Sequence, residues 1–313
     1  MALLASDVSA GDPGAPAGID WRLTIAYIDQ NGSEMERARL RGILGRARPD
    51  AKVVRALEVR QNDDGGFPHG MIQGRLSTIE ATTTVLRWID DLGLLGGPHA
   101  ERAGLFLLAA QRPDGSWDEP PGLIRHTPPP RLMPGDPRVR SLSTALVAFW
   151  LVRLGEHGSD AVARAMAYLR ERQAPDGRFV GYLSTTWLAA ALFRFGEGPD
   201  SAAAAKALAA LAEVPASRWS PATLAGMLNC LGDTGARDDL PLVRESLARL
   251  TDLGRSDGSW VSEEGDAHHV EVTLGALRAL VLCAAVSPRP RAAVKPAQPG
   301  TALDTNAPGG RVP

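Results

Sequence analysis

The sequence is poor in aromatic side chains: Phe, Trp and Tyr make up 5% of its 313 residues. That is thin for a site meant to cage a cation against ring faces. It holds two cysteines, Cys230 and Cys283, which excludes a disulfide framework and offers no metal-binding thiol spacing. Both fall on apolar helical faces and read as buried free thiols. Charge of either sign is not in excess, and a formal net charge of -2 argues against general affinity for nucleic acid or an anionic membrane. No apolar run reaches membrane-spanning length, and the first residues lack a basic region followed by an apolar one. A cytoplasmic protein with no integral membrane segment is the expectation. No stretch alternates apolar and polar residues long enough to make a useful strand. What the chain does have is a 44% share of hydrophobic residues, enough for a substantial core. Its wealth of Ala, Arg, Gly and Pro points to a GC-rich bacterial genome.

Residues 1–18 are small and Pro/Gly/Ala-rich, without period, and read as a disordered leader. Residues 286–313 read as a disordered Pro-rich tail. The folded unit is therefore expected over 19–285. Helical patterns fill it. Trp21, Leu23, Ile25 and Ile28 are too closely spaced for a clean helical stripe. Helices are then predicted over 34–44, 51–61, 77–92, 99–111, 141–154, 160–173, 183–195, 201–213, 221–231, 240–253 and 269–285. Two kinds alternate. One carries charge on one face, as Arg164, Arg170, Glu171 and Arg172 do, and belongs outside. The other is apolar nearly all round, as in Leu146 to Val152, and belongs inside.

Between them recurs a fixed turn. Gln61-Asn62-Asp63-Asp64-Gly65-Gly66-Phe67 is repeated as Gln111 to Trp117, as Gln173 to Phe179 and, without its glutamine, as Gly254 to Trp260. Glu213 to Trp219 keeps the spacing but not the Asp-Gly. The aspartate suits an Asx turn and the glycine suits positive φ. The glutamine is placed to hydrogen-bond the start of a following helix, and the aromatic to pack back on the helix pair. Trp117 and Trp260 are accordingly read as structural. Helix pairs repeating at this spacing close into a ring, an all-α (α/α)6 toroid of inner and outer helices.

Gln-x-x-Asp-Gly-x-Trp/Phe, set between alternating helices over about residues 50–285, resembles the QW repeat of squalene-hopene and oxidosqualene cyclases. A similar toroid occurs in the β subunits of protein prenyltransferases. Full triterpene cyclases have two such domains, and this chain has length for one. The resemblance implies an isoprenoid substrate in a central apolar cavity, cyclised by protonation. In such cyclases an aspartate in an Asp-x-Asp-Asp-Thr or Val-x-Asp-Cys-Thr segment gives the proton. Aligning inner helices on Gly93, Gly155, Gly196 and Gly232 places Thr82, Thr144 and Thr185 in register and puts Glu80 at that acid's position. Thr78 and Ala81 replace its neighbours. The prenyltransferase zinc set is missing, since neither Cys230 nor Cys283 follows an aspartate by two residues, so no metal is expected.

The candidate residues each have a plain alternative. Glu80 is either a general acid or a first-turn carboxylate set against the helix dipole. Glu271 stands two residues before Thr273, as Glu80 does before Thr82; the two form an acid pair or are two solvated groups. His269, beside His268, would tune such an acid. Inward-facing Trp150, Trp187 and Phe149 are the candidate cation-stabilising aromatics. The insertion 118–139, with Arg125, Arg131 and the following Arg140, is either a lid gripping a diphosphate or a solvated excursion. Asp63-Asp64 and Asp90-Asp91 resemble magnesium pairs, but Asp64 belongs to the turn and Asp90-Asp91 lies at a helix end away from the mouth. No cofactor is expected; Mg2+ would enter only with a diphosphate substrate. The favoured reading is a terpenoid cyclase-like isomerase. The alternatives are a prenyl-diphosphate transferase or hydrophobic-ligand binder, and a scaffold with a plugged barrel.

Overall fold

The computed structural model describes residues 19–45 and 48–283. The expected leader and tail lie outside the described residues. Within them six α-helices form an outer layer: α1 (Trp21–Asn31), α3 (Ala51–Glu58), α5 (Pro98–Ala109), α7 (Asp160–Arg170), α9 (Ala202–Ala212) and α11 (Pro241–Asp252). Six form an inner layer: α2 (Glu34–Ile43), α4 (Ile79–Asp91), α6 (Pro137–Arg153), α8 (Leu183–Glu197), α10 (Pro221–Asp233) and α12 (His269–Cys283). Each inner helix packs on the next, and α12 returns to α2, so the ring is closed. The expected toroid is the observed fold.

Burial follows the sequence patterns. Helix α8 buries every residue from Thr185 to Phe193, as a helix walled by neighbours on all sides must. Outer helix α7 buries Ala161, Val162, Ala165, Tyr168 and Leu169, a single stripe at helical spacing. Helix α1, whose apolar residues gave no clean stripe, is started by Asp20, whose side chain accepts from the Arg22 N–H. It packs between α12 and α2.

Helix α2 is the inner member that its composition conceals. It buries Ala38, Arg39, Leu40 and Ile43, an arginine among them. Its Gly42, a poor helix former, is required by close approach: a Cβ there would stand 2.1 Å from the Asp91 carbonyl oxygen at the end of α4.

The repeated turn ties each helix pair to its neighbours. The Gln61 amide donates to the carbonyls of Gly65 (2.8 Å) and His99 (2.9 Å). Gln111 does the same to Gly115 and Ala161, and Gln173 to Gly177 and Ala203. The second acceptor is each time at the start of the next outer helix. The aspartates accept the N–H two residues on, closing the Asx turns. Each turn glycine lies on the next outer helix; at Gly177, with φ 88°, a Cβ would come within 2.2 Å of the Lys206 carbonyl oxygen. The last turn completes the circle, since Gly258 packs on Leu23 and Thr24 of α1.

The aromatic's own backbone N–H is satisfied by a threonine of the following inner helix. Phe67 N donates to Thr82 Oγ1, Trp117 N to Thr144 Oγ1 and Trp260 N to Thr273 Oγ1, at 3.0, 3.0 and 3.1 Å. In the third repeat the partner is Thr186, at 3.3 Å from Phe179 N, not Thr185. The register here differs by one from the other repeats, and Gly196 is no helix stop: α8 runs through it to Glu197, and positive φ falls on Gly198. Gly196 leaves room for Met166, whose sulfur would lie 2.8 Å from a Cβ. Gly232 likewise lies inside α10, against Cys283.

Thr144→Val strands the buried Trp117 N–H. It is expected to cost about 1–3 kcal/mol, read as a lower urea midpoint at unchanged m-value.

Candidate functional site

All six inner helices contribute to a central cavity of about 400 Å³, within the size range of small-molecule sites. Apolar side chains supply much of its wall, Leu142 and Leu146 from α6, Trp187 and Leu188 from α8, Ala225 from α10 and Val272 from α12, and Arg39, Arg87, Asp91, Glu271 and Arg278 reach it as well. Gly226 and Gly275 leave the space that larger residues would fill. Trp187 is the one aromatic among the described residues that line it, and its ring centroid lies 6.2 Å from that of Trp219.

A buried charged layer underlies these walls. Arg278 of α12 bonds Asp233 at 2.9 Å and reaches Asp90 and Asp91 of α4. Arg153 pairs with Asp90 (2.7 Å) and Asp233 (3.0 Å). Arg87 pairs with Asp233 at 3.1 Å, and Arg39 of α2 bonds Asp91 at 3.0 Å. Asp90, Asp91, Arg153 and Asp233 stand at the C-terminal ends of their helices, so the layer closes that end of the ring. Burial opposes charge on Asp233. The guanidiniums of Arg278, Arg87 and Arg153 outweigh it and hold its carboxyl below the usual carboxylate range.

The expected site residues do not converge. Glu271 lines the cavity and receives both terminal nitrogens of Arg39. Burial alone would raise its carboxyl, but Arg39 prevails and holds it below its ordinary value. Glu80 is half-buried in the first turn of α4 and does not line the cavity. It lies seven residues, about two turns, toward the N-terminus from the cavity-lining Arg87. Burial raises its carboxyl; nearby Arg131 lowers it and Glu264 raises it. His269 is buried with its Nε2 3.5 Å from Asp266. Trp150 is covered by the Arg87 guanidinium at 4.8 Å, and Phe149 packs on Phe195 at 5.8 Å; neither lines the cavity.

The insertion arches over the N-terminal rim, where Arg131 reaches Glu264 at 3.5 Å and the His126 ring lies 5.7 Å from His69. Arg140 is committed to Asp118 at 3.2 Å, and Arg125 is exposed. Among the described residues no group of three or more His, Cys, Asp or Glu side chains is placed to hold a metal ion.

Two features escaped the sequence reading. One is the arginine layer, signalled only by Arg278 and Asn229 standing inside otherwise apolar helices. The other is Glu119, which faces a rim cavity of about 710 Å³. Its oxygens accept from the N–H groups of Ile79 (3.0 Å) and Glu80 (2.8 Å), closing the start of α4. Burial pushes its carboxyl up to about 7 against those two bonds, and the Glu80 and Asp118 carboxylates add to the rise.

The architecture is that of the α/α toroid, and solved proteins share it. The type II terpene cyclase MstE from Scytonema, in its apo form, matches with TM-score 0.56 at 18% identity, over 83% of this chain and 96% of that one. An MstE variant holding its substrate, geranylgeranyl dihydroxybenzoate, matches with TM-score 0.56 at 18% identity, over 83% of this chain and 95% of that one. A protein from Actinoplanes matches with TM-score 0.53 at 19% identity, over 83% and 97%. The chain has the fold of the type II terpene cyclases. No family model and no curated protein matches the sequence.

Arg278→Met would leave three buried aspartates short of a cation and is expected to cost about 3–5 kcal/mol in denaturant unfolding. Glu119 carries a pH signature. Its folded value lies above the ordinary 4.5, so its contribution to stability is present below about 4.5 and lost as pH rises through about 7. The loss amounts to about 3 kcal/mol. Glu119→Gln is expected to flatten that part of the stability–pH curve; an unchanged slope would assign it to another group.

Proposed function

We propose that this protein is a terpenoid cyclase-like enzyme that takes an isoprenoid chain into its central cavity and isomerises it by protonation. The apolar-walled cavity at the centre of a cyclase-type toroid carries this reading. The type II terpene cyclase MstE, whose fold this chain shares, is solved as a variant in complex with its substrate, geranylgeranyl dihydroxybenzoate. Glu80 is the proposed proton donor. Its first-turn position on α4 corresponds to the acid in the resemblance, and burial favours its protonated form. An alkene is a poor proton acceptor, so the donor must be both protonated and free of a strong cationic partner at the moment of transfer. Among the described residues no salt bridge engages Glu80, whereas Arg39 engages Glu271. The reaction is an isomerisation and draws on no cofactor. We place it in the cytoplasm, in keeping with the two free buried cysteines; no helix among the described residues is long and apolar enough to cross a membrane.

A second reading, a hydrophobic-ligand binder without turnover, is favoured by one observation: Glu80 is absent from the cavity lining. A diphosphate-dependent transferase finds less support, because Arg131 and Arg140 are already paired with Glu264 and Asp118.

Incubation with farnesyl, geranylgeranyl and squalene-type substrates separates the two. Cyclisation is expected, reduced about 100-fold or more in Glu80→Gln. Binding without any product supports the binder, and cyclisation untouched by the substitution removes Glu80 from the mechanism.

A further inference from the structure

Gly42 and Gly177 are glycine because a Cβ would meet a neighbouring backbone oxygen at 2.1 and 2.2 Å. Gly226 of α10 and Gly275 of α12 are under no such pressure. Neither has positive φ. A Cβ at Gly226 would touch the Trp187 ring at 3.5 Å, and one at Gly275 would touch Ala225 at 3.6 Å, both ordinary contacts. Glycine is also a poor helix former. What its small size preserves at these two places is the central cavity, which both residues line.

That cavity has a firm end. The charged layer reaches it through Arg87, Asp91 and Arg278, and Arg278 is held by Asp90, Asp91 and Asp233 at once. A ligand displaces this floor only by separating buried charges, which is costly. The lining runs from Ala222 to Cys230 on α10 and from Glu271 to Arg278 on α12, about 12 and 10 Å along the helix axes. On one side stands Trp187, buried, with Trp219 behind it.

Size then sets what fits. A carbon with its hydrogens takes about the room of a water molecule, about 30 Å³ in a liquid, and about a quarter less at the density of a protein interior. Three isoprene units, fifteen carbons, need roughly 340 Å³ on that scale, and four units roughly 450 Å³. The cavity holds about 400 Å³. We infer that it is gauged for a chain of three isoprene units, with the charged layer as its floor and Trp187, Gly226 and Gly275 as the residues that set its width. This length rests on the isoprenoid reading and deepens it. With carbon–carbon bonds of about 1.5 Å such a chain spans roughly 15 Å when extended. That exceeds the depth of the lining, so the chain enters bent back on itself, as ring closure requires. A fourth unit stays outside the walls, in water, and adds nothing to the hold.

Saturated isoprenoid alcohols test this, because they have no alkene to protonate and report binding alone. Tetrahydrogeraniol, hexahydrofarnesol and phytanol carry two, three and four units. Equilibrium binding to the full chain is measured with each alcohol held in solution by cyclodextrin and its free concentration determined. Wild type is expected to bind hexahydrofarnesol at least about tenfold tighter than tetrahydrogeraniol, because a further unit leaves water. Phytanol is expected within about threefold of hexahydrofarnesol, because its last unit gains no burial. Trp187→Leu widens the cavity and is expected to move the limit up, so that phytanol binds at least about tenfold tighter than hexahydrofarnesol. Gly275→Leu fills the cavity and is expected to move the limit down, so that hexahydrofarnesol binds no tighter than tetrahydrogeraniol. Trp187→Phe and Gly275→Ala, checked like the others by urea unfolding, give the same shifts in smaller measure if a larger change prevents folding. A wild-type affinity that climbs as steeply from three units to four as from two to three, or a limit that no variant moves, overturns the inference and leaves the isoprenoid reading standing. Binding of none of the three alcohols by wild type overturns both.

Discussion

The buried charge layer is the constraint on which the rest depends. Arg39, Arg87, Arg153 and Arg278 meet Asp90, Asp91, Asp233 and Glu271 across five of the six inner helices, α2, α4, α6, α10 and α12. The formal charges balance, four arginines against four carboxylates. A buried pair gains little over a hydrophobic pair of the same shape, but removing one partner is costly. Its effect is therefore on geometry more than on net stability. Each arginine has at least one partner on another helix, so the helices must keep one rotation and one height relative to each other. That requirement closes the ring and shuts its C-terminal end.

The cavity is what remains above the layer. Outer helices bury single stripes and inner helices bury nearly all their surface, so apolar side chains supply the walls. Small residues on α10 and α12 keep the centre from filling. The turn repeat holds this arrangement from outside: its glutamine fastens one outer helix to the next, and its aromatic N–H hangs on an inner-helix threonine. Asymmetry is then imposed on a symmetric frame. Glu80 and Glu271 occupy corresponding places two residues before Thr82 and Thr273, yet Arg39 reaches one and not the other. One carboxyl is shifted toward its acid form and the other toward its anion. Two like groups at like positions are thereby shifted in opposite directions, in the manner of paired carboxylates whose environments drive their titrations apart.

The alternation of helix types and the repeated Asp-Gly turn were legible in the chain, because hydrophobic periodicity and turn chemistry are local properties. So was the inner position of Trp187. Other residues were opaque for physical reasons. Gly196 has the look of a helix stop, but it is there to admit Met166. Nothing in the sequence of helix α2 marks it as inner, because its buried arginine finds partners 52 and 232 residues away. Trp150 and Phe149 share an apolar run with true lining residues, and helical rotation turns them elsewhere. Glu119 sits in a proline-rich loop where nothing nearby marks it as buried.

By itself the sequence determined the class of fold, the alternation of inner and outer helices from the first repeated turn onward and the turns that join them. Each of these depends on residues within one or two helical turns of each other. Only the tertiary structure decided which charges pair, which side chains face the cavity and which of two equivalent glutamates is held as an anion. Those outcomes depend on Coulomb interactions and burial between segments distant in the chain, and the closing of the ring is what brings such segments together.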